Sequence, residues 1–148
     1  MKFIPYLYFN GDCAEAIEFY AQLFSGKITD RYTYNDMPPE PDMPPLSESD
    51  KQKIMYAQLT IGSQTLMASD IVSELCATGS GYQKPQGMQI NISVDTPSEG
   101  RRIFDALAEG GTIEMPFEAT FFSRGFGIVT DRFGTPWSID SGDAGLGQ

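Results

Sequence analysis

Histidine is absent from this 148-residue sequence. That removes the commonest side-chain ligand for zinc, copper and iron, together with every serine or cysteine nucleophile that relies on an imidazole base. A metal held by oxygen alone stays open. Cysteine is nearly as scarce. Cys13 and Cys76 are too few and too irregularly spaced for a disulfide framework or a Cys-x-x-Cys knuckle, so reduced thiols and a cytoplasmic location are expected. No apolar run approaches the roughly 18–20 residues of a membrane span, and no membrane partner is expected. The opening Met1-Lys2-Phe3-Ile4-Pro5-Tyr6 has neither the apolar length nor the cleavage site of a secretion signal. Basic residues number 10 against 20 acidic ones, a formal charge of −10. Such a surface repels a phosphate backbone instead of releasing its counterions, which argues against a nucleic-acid partner.

What is present suits one domain, 1–148, since single domains commonly run to about 100–150 residues. Phe3 to Phe9 reads as a strand stopped by Asn10-Gly11. Asp12 and Glu15 then have capping-box spacing, and Cys13, Ile17, Tyr20 and Phe24 form one stripe of a helix ending near Ser25-Gly26. Lys27 to Tyr34 alternates as a second strand. Prolines crowd residues 37–45 and exclude regular structure, so 36–53 is expected to be a loop, with Met37 and Met43 suited to an adaptable lid. Ile54–Ile61 and Thr65–Ser69 follow as a hairpin through Gly62-Ser63.

Residues 71–87, with Gly79-Ser80-Gly81, read as a connector between module one, 1–70, and module two, 88–140; residues 141–148 read as a flexible tail. The second module repeats the first. Displaced by 84 positions, Pro5 meets Gln89, Asp12 meets Thr96, Glu15 meets Glu99, Tyr20 meets Phe104, Leu23 meets Leu107 and Gly26 meets Gly110, without a gap. Thr96-Pro97-Ser98-Glu99 is again a capping box with proline at the first helical position. Strands at Thr112–Met115, Phe126–Thr130 and Thr135–Ile139 complete β-α-β-β-β, twice over, an α+β fold.

Pro5-Tyr6-Leu7-Tyr8-Phe9, Ala16-Ile17-Glu18-Phe19-Tyr20 and the ending Asp131-Arg132-Phe133-Gly134-Thr135-Pro136-Trp137 resemble the PhnB-like family over nearly the whole chain. That family belongs to the vicinal-oxygen-chelate superfamily of glyoxalase I, bleomycin-resistance proteins and extradiol dioxygenases. The resemblance implies two βαβββ modules whose sheets curl into a half-open cup, in a homodimer. In metal-using members four side chains, from the first and last strand of each module, hold a divalent ion. Here those positions fall on Pro5, Met67, Gln89 and Ser138, and only Gln89 is an ordinary ligand, so neither a metal nor another cofactor is expected.

In Gln89-Ile90-Asn91-Ile92-Ser93-Val94 the apolar residues alternate with polar ones, so Ile90, Ile92 and Val94 should cover the helix while Gln89 and Asn91 face a ligand or solvent. Phe121-Phe122-Ser123-Arg124-Gly125 puts Phe122 and Arg124 on a glycine-flanked segment that closes over a flat or anionic molecule, or is a loop pinned by its aromatics. Trp137 should be core. The expected function is binding of a small organic molecule through Met67, Gln89, Asn91, Phe122, Arg124 and Ser138, with no chemistry. The alternative is an enzyme of the superfamily. It would use Asp70, Glu114 and Glu118 as oxygen ligands, or Glu114 or Glu118 as a general base. PhnB-like chains often carry a ubiquinone-pathway methyltransferase label, but no strand leads into a glycine-rich turn and helix to hold S-adenosylmethionine.

Overall fold

Alternation of apolar and polar residues asks each strand to bury one face, and one helix per module supplies the cover. The computed structural model describes residues 1–76 and 81–145; Gly79 and Ser80 of the expected connector, and 146–148 of the expected tail, lie outside them. The chain divides into two compact units, Met1–Gln83 and Lys84–Gln148.

In the first unit β1 (Tyr6–Phe9) leads into α1 (Cys13–Leu23), then β2 (Lys27–Thr33), the short α2 (Glu48–Lys51), β3 (Ile54–Ile61) and β4 (Gln64–Asp70). The sheet order is β1-β4-β3-β2, parallel only between β1 and β4. Cys13, Ala16, Ile17, Tyr20 and Leu23 of α1 are buried, as are Phe9, Ala57, Leu59, Leu66 and Ala68 of the sheet. α1 ends in a Schellman turn: the Gly26 amide donates to the Ala21 carbonyl at 2.8 Å, with Ser25 left-handed at φ 54°. α2, inside the expected loop, is capped by the Ser47 hydroxyl, which accepts from the Asp50 amide at 3.1 Å.

The second unit repeats the order: β5 (Ile90–Ser93), α3 (Pro97–Ala108), β6 (Thr112–Glu118), β7 (Phe126–Thr130) and β8 (Pro136–Asp140), in the sheet order β5-β8-β7-β6. Neither sheet closes on itself. α3 buries Gly100, Ile103, Phe104 and Leu107. β6 runs past Pro116 to Glu118, three residues beyond its expected end. It is an edge strand with an irregular register, where a proline forfeits no ladder bond that matters.

Two caps differ from expectation in opposite ways. The Asp12 side chain caps nothing; instead Asp70, 1% exposed at the end of β4, accepts from the Gly11 and Cys13 amides at 2.8 and 3.0 Å and from the Ile54 amide at 2.9 Å. The Thr96 hydroxyl does accept from the Glu99 amide, at 3.2 Å, while the Glu99 carboxylate turns to Arg102 at 2.7 Å. The tail also begins later than residue 141. Ser141 is buried, the Gly142 carbonyl accepts from the Arg124 amide at 2.9 Å, and Asp143 bridges to Ser123.

Candidate functional site

The side of each sheet opposite its helix is where a ligand could reach strand side chains, and the register says which residues stand there. In the first unit Asp70 reaches the start of α1, so Asp70, its partner Phe9, and by alternation Ala68 and Leu7, lie on the helix side. The other face carries Tyr6 and Tyr8. Across the four strands Tyr6, Met67, Gln58 and Asp30 fall in one row; Tyr8 with Ser69 and Tyr56 with Tyr32 make the next. Tyr6 is 40% exposed, Tyr8 51% and Tyr32 47%. The Tyr6 and Tyr8 rings stand 5.1 Å apart, and the Tyr56 hydroxyl donates to Gln58 Oε1 at 2.9 Å. Burial raises the Tyr56 phenol pKa, and so does the neighbouring Asp30 carboxylate.

In the second unit an added Cβ on Gly127 would press on Phe104 of α3, which places Gly127, Ile139, Trp137, Ile90 and Ile92 on the helix side. Asn91 and Ser138 then share the other face, and the structure joins them: the buried Ser138 hydroxyl donates to Asn91 Oδ1 at 2.8 Å. Gln89 precedes β5 and is exposed.

The gap-free repeat is therefore off by one in the first strand. Helix-side Leu7 and Phe9 share their face with Ile90, Ile92 and, by alternation, Val94, an odd displacement, while the helices keep 84; the spacing from strand to helix therefore differs by one residue between the modules. A one-residue slip exchanges faces. Pro5, taken from the alignment as the counterpart of Gln89, falls on the helix side by parity, and Tyr6 replaces it.

Phe122 is exposed and T-stacked against Phe121 and Phe126, each pair 5.1 Å apart. Arg124 is committed elsewhere, its guanidinium donating to the Asp95 carbonyl at 2.7 Å. Between them the buried Ser123 hydroxyl donates to the Asp140 carboxylate and bonds the Gly125 carbonyl at 2.8 Å. That favours the pinned loop over the closing segment. Glu114 and Glu118 are exposed on edge strand β6, without the apolar enclosure a general base would need. Asp70 has both oxygens occupied by backbone amides, so it is not free to ligate a metal.

The residues on the helix-free faces fit a divalent ion poorly. Tyrosine, methionine, serine and amide side chains stand there, with Asp30 the carboxylate of the first sheet and Asp140 and Glu118 those of one row of the second, and among the described residues no three Cys, Asp or Glu side chains converge. Burial pushes the Cys13 thiol pKa up, so it is not a ready nucleophile. The ending Asp131-x-Phe133-Gly134-x-x-Trp137 is structural as well. Asp131 Oδ1 accepts from the Phe133 and Thr135 amides at 2.9 and 3.0 Å, and Oδ2 from the Trp137 indole at 2.8 Å.

Sequence reasoning missed the tyrosine face. In Tyr6-Leu7-Tyr8-Phe9 both faces read as apolar, so alternation gave no sign; the signal available was tyrosine recurring at two-residue spacing beside Tyr32 and Tyr56.

Two βαβββ modules, each a mixed sheet covered by one long helix, define the glyoxalase/bleomycin-resistance fold. A family enzyme of that description from Burkholderia phytofirmans shares it, with a TM-score of 0.62 at 15% identity over 93% of this chain and 94% of that one. Within that class, the chain belongs to the PhnB-like family described as 3-demethylubiquinone-9 3-methyltransferase, whose sequence model matches residues 1–140. Protein YjdN of Escherichia coli K12 is 32% identical over 145 residues, 95% of each chain. Protein PA1353 of Pseudomonas aeruginosa has a crystal structure with a TM-score of 0.80 at 38% identity, over 95% of this chain and 96% of that one. For a PhnB protein from Bacillus cereus the values are 0.73 and 25%, over 95% and 98%. Among the described residues no helix is long and apolar enough to cross a membrane.

Proposed function

We propose that this PhnB-like protein binds a small organic molecule on the helix-free face of its first sheet, without a histidine-ligated metal. The observation that carries the proposal is the exposure of Tyr6, Tyr8 and Tyr32 on one face of the sheet, at its two edges, with Met67 and Tyr56 on the strands between. Aromatic side chains left in water across one sheet face, with a few polar groups beside them, have the character of a ligand surface. Histidine is absent from the chain and the face offers one carboxylate, so the recognition available there is aromatic contact and hydrogen bonding.

Thermal shift of the full chain against a panel of neutral, cationic and anionic aromatic compounds, with and without a chelator, tests this. At least one compound should raise the melting temperature by several degrees, with no effect of chelator, and the gain should vanish in Tyr8→Ala/Tyr32→Ala. Silence across the panel, or a gain that needs added metal, overturns it.

Methyl transfer, named in the family's description, finds no support among the described residues. No strand passes through a glycine-rich turn into a helix, the element that cradles S-adenosylmethionine in doubly wound sheets. The homodimer draws support from Ile113, Met115, Phe121 and Phe122, all exposed on or beside edge strand β6. Sedimentation equilibrium should return twice the chain mass, and Phe121→Ser should lower it.

A further inference from the structure

Resting on that binding face, we infer that its ligand is an organic cation: a quaternary ammonium or a protonated methylated amine, with its charge among Tyr6, Tyr8, Tyr32 and Tyr56 and opposite the carboxylate of Asp30. An aromatic ring presents negative charge on its face, and a cation within about 6 Å of the centroid is attracted to it. Tyr6 and Tyr8 stand on edge strand β1, and Tyr56 and Tyr32 on β3 and β2 across β4, so ring faces are offered from both sides of the sheet face, and Asp30 stands in the row beside Tyr32 and Tyr56. Its proximity shows in the Tyr56 phenol, whose pKa is raised by burial first and by Asp30 next.

Two cations of β2 stand near Asp30, and neither pairs with it among the described residues. Arg31, next in sequence, faces the helix side and pairs with Glu18 of α1 at 2.7 Å. Lys27 begins β2, opposite Thr60, on the same face as Asp30 and one row from it. Among the described residues Asp30 has no ion-pair partner.

Three ligand classes can be compared on this ground. An anion meets Asp30 and a chain of formal charge −10. A neutral aromatic covers Asp30 and takes its water without replacing it, which costs free energy. A cation gains from both the rings and the carboxylate, and the polarisable thioether of Met67, beside Tyr6, suits N-methyl groups. The acidic chain also raises the local concentration of cations.

Choline and 3,3-dimethylbutan-1-ol differ only in having nitrogen or carbon at the trimethyl centre, so titrating each into the full chain isolates the charge. Tyrosine ring NMR signals report the site. Choline should bind about tenfold or more tightly than the alcohol. Asp30→Asn should weaken choline severalfold, Tyr32→Leu likewise, and Tyr32→Phe should retain it, since the ring and not the hydroxyl is used. Added sodium chloride should weaken choline and leave the alcohol unchanged.

If the alcohol binds as tightly, through the same tyrosines, the cation assignment falls and the binding face stands. If neither ligand moves the tyrosine signals, the cation assignment also falls, and the neutral members of the thermal-shift panel decide the face independently. Choline binding indifferent to both Asp30→Asn and Tyr32→Leu overturns the assignment to this face.

Discussion

Two buried aspartates do for this fold what the sequence alone assigns to local caps. Asp70 gathers the strand–helix turn, the start of β3 and the end of β4; Asp131 gathers the β7–β8 turn and the indole of Trp137. Each accepts at least three hydrogen bonds, and an amide in the same place offers one acceptor fewer and sets an N–H against an N–H. Asp70→Asn and Asp131→Asn are each expected to cost on the order of 3 kcal/mol, read as a lower urea midpoint at unchanged slope. Tyr34 adds a pH dependence. Burial, and then Asp70, raise its phenol pKa to about 12 from 10.0, and its hydroxyl donates to the Asp70 carbonyl at 2.8 Å. The neutral phenol is therefore favoured by the folded chain. Its contribution is whole below pH 10.0 and is lost as pH rises towards 12. Tyr34→Phe should lose about 1 kcal/mol at neutral pH and show a flatter fall in stability over that alkaline window.

At the scale of elements, the turn closing α1 makes a sharp case. Ser25 occupies a left-handed conformation at φ 54° that glycine adopts without a Cβ penalty, whereas Gly26 cannot be enlarged: an added Cβ would lie 2.8 Å from Leu59 and 2.9 Å from Ile61. Ser25→Gly should raise stability by about 0.5–1 kcal/mol and Gly26→Ala should lower it, both read from thermal unfolding. The same distinction explains what was legible beforehand. Helix faces and the Gly62-Ser63 hairpin could be read because their periodicity depends on neighbours in sequence. The Asp70 cap could not, since it spans 57 residues to the Cys13 amide. Strand β6 looked finished at Pro116 because nothing local marks an edge. Among the candidate residues, Asn91 and Ser138 meet as one polar pair because alternation in β5 was unambiguous; the tyrosine face stayed hidden because tyrosine counts as apolar on a strand with no polar side.

For the whole molecule, charge is the dominant collective quantity. Twenty acidic residues face ten basic ones, and the five ion pairs within 4 Å among the described residues all involve partly exposed side chains, four of them between residues three or four apart. Exposed pairs of this kind are worth about 0–1 kcal/mol each, so screening them removes little. Repulsion among the surplus carboxylates acts over longer distances and is screened first, because the Debye length shrinks from about 30 Å at 0.01 M salt to about 10 Å at 0.1 M. Compact structure concentrates that repulsion and unfolding relieves it, so salt should favour the folded chain. The melting temperature is expected to rise by a few degrees between about 0.01 and 0.3 M sodium chloride, the salt being chosen over sulfate so that surface exclusion does not mimic the effect. A flat or falling curve would mean that the local pairs outweigh the net charge, and Arg31→Gln, which breaks the pair joining β2 to α1 and removes a positive charge, would then turn the curve upward.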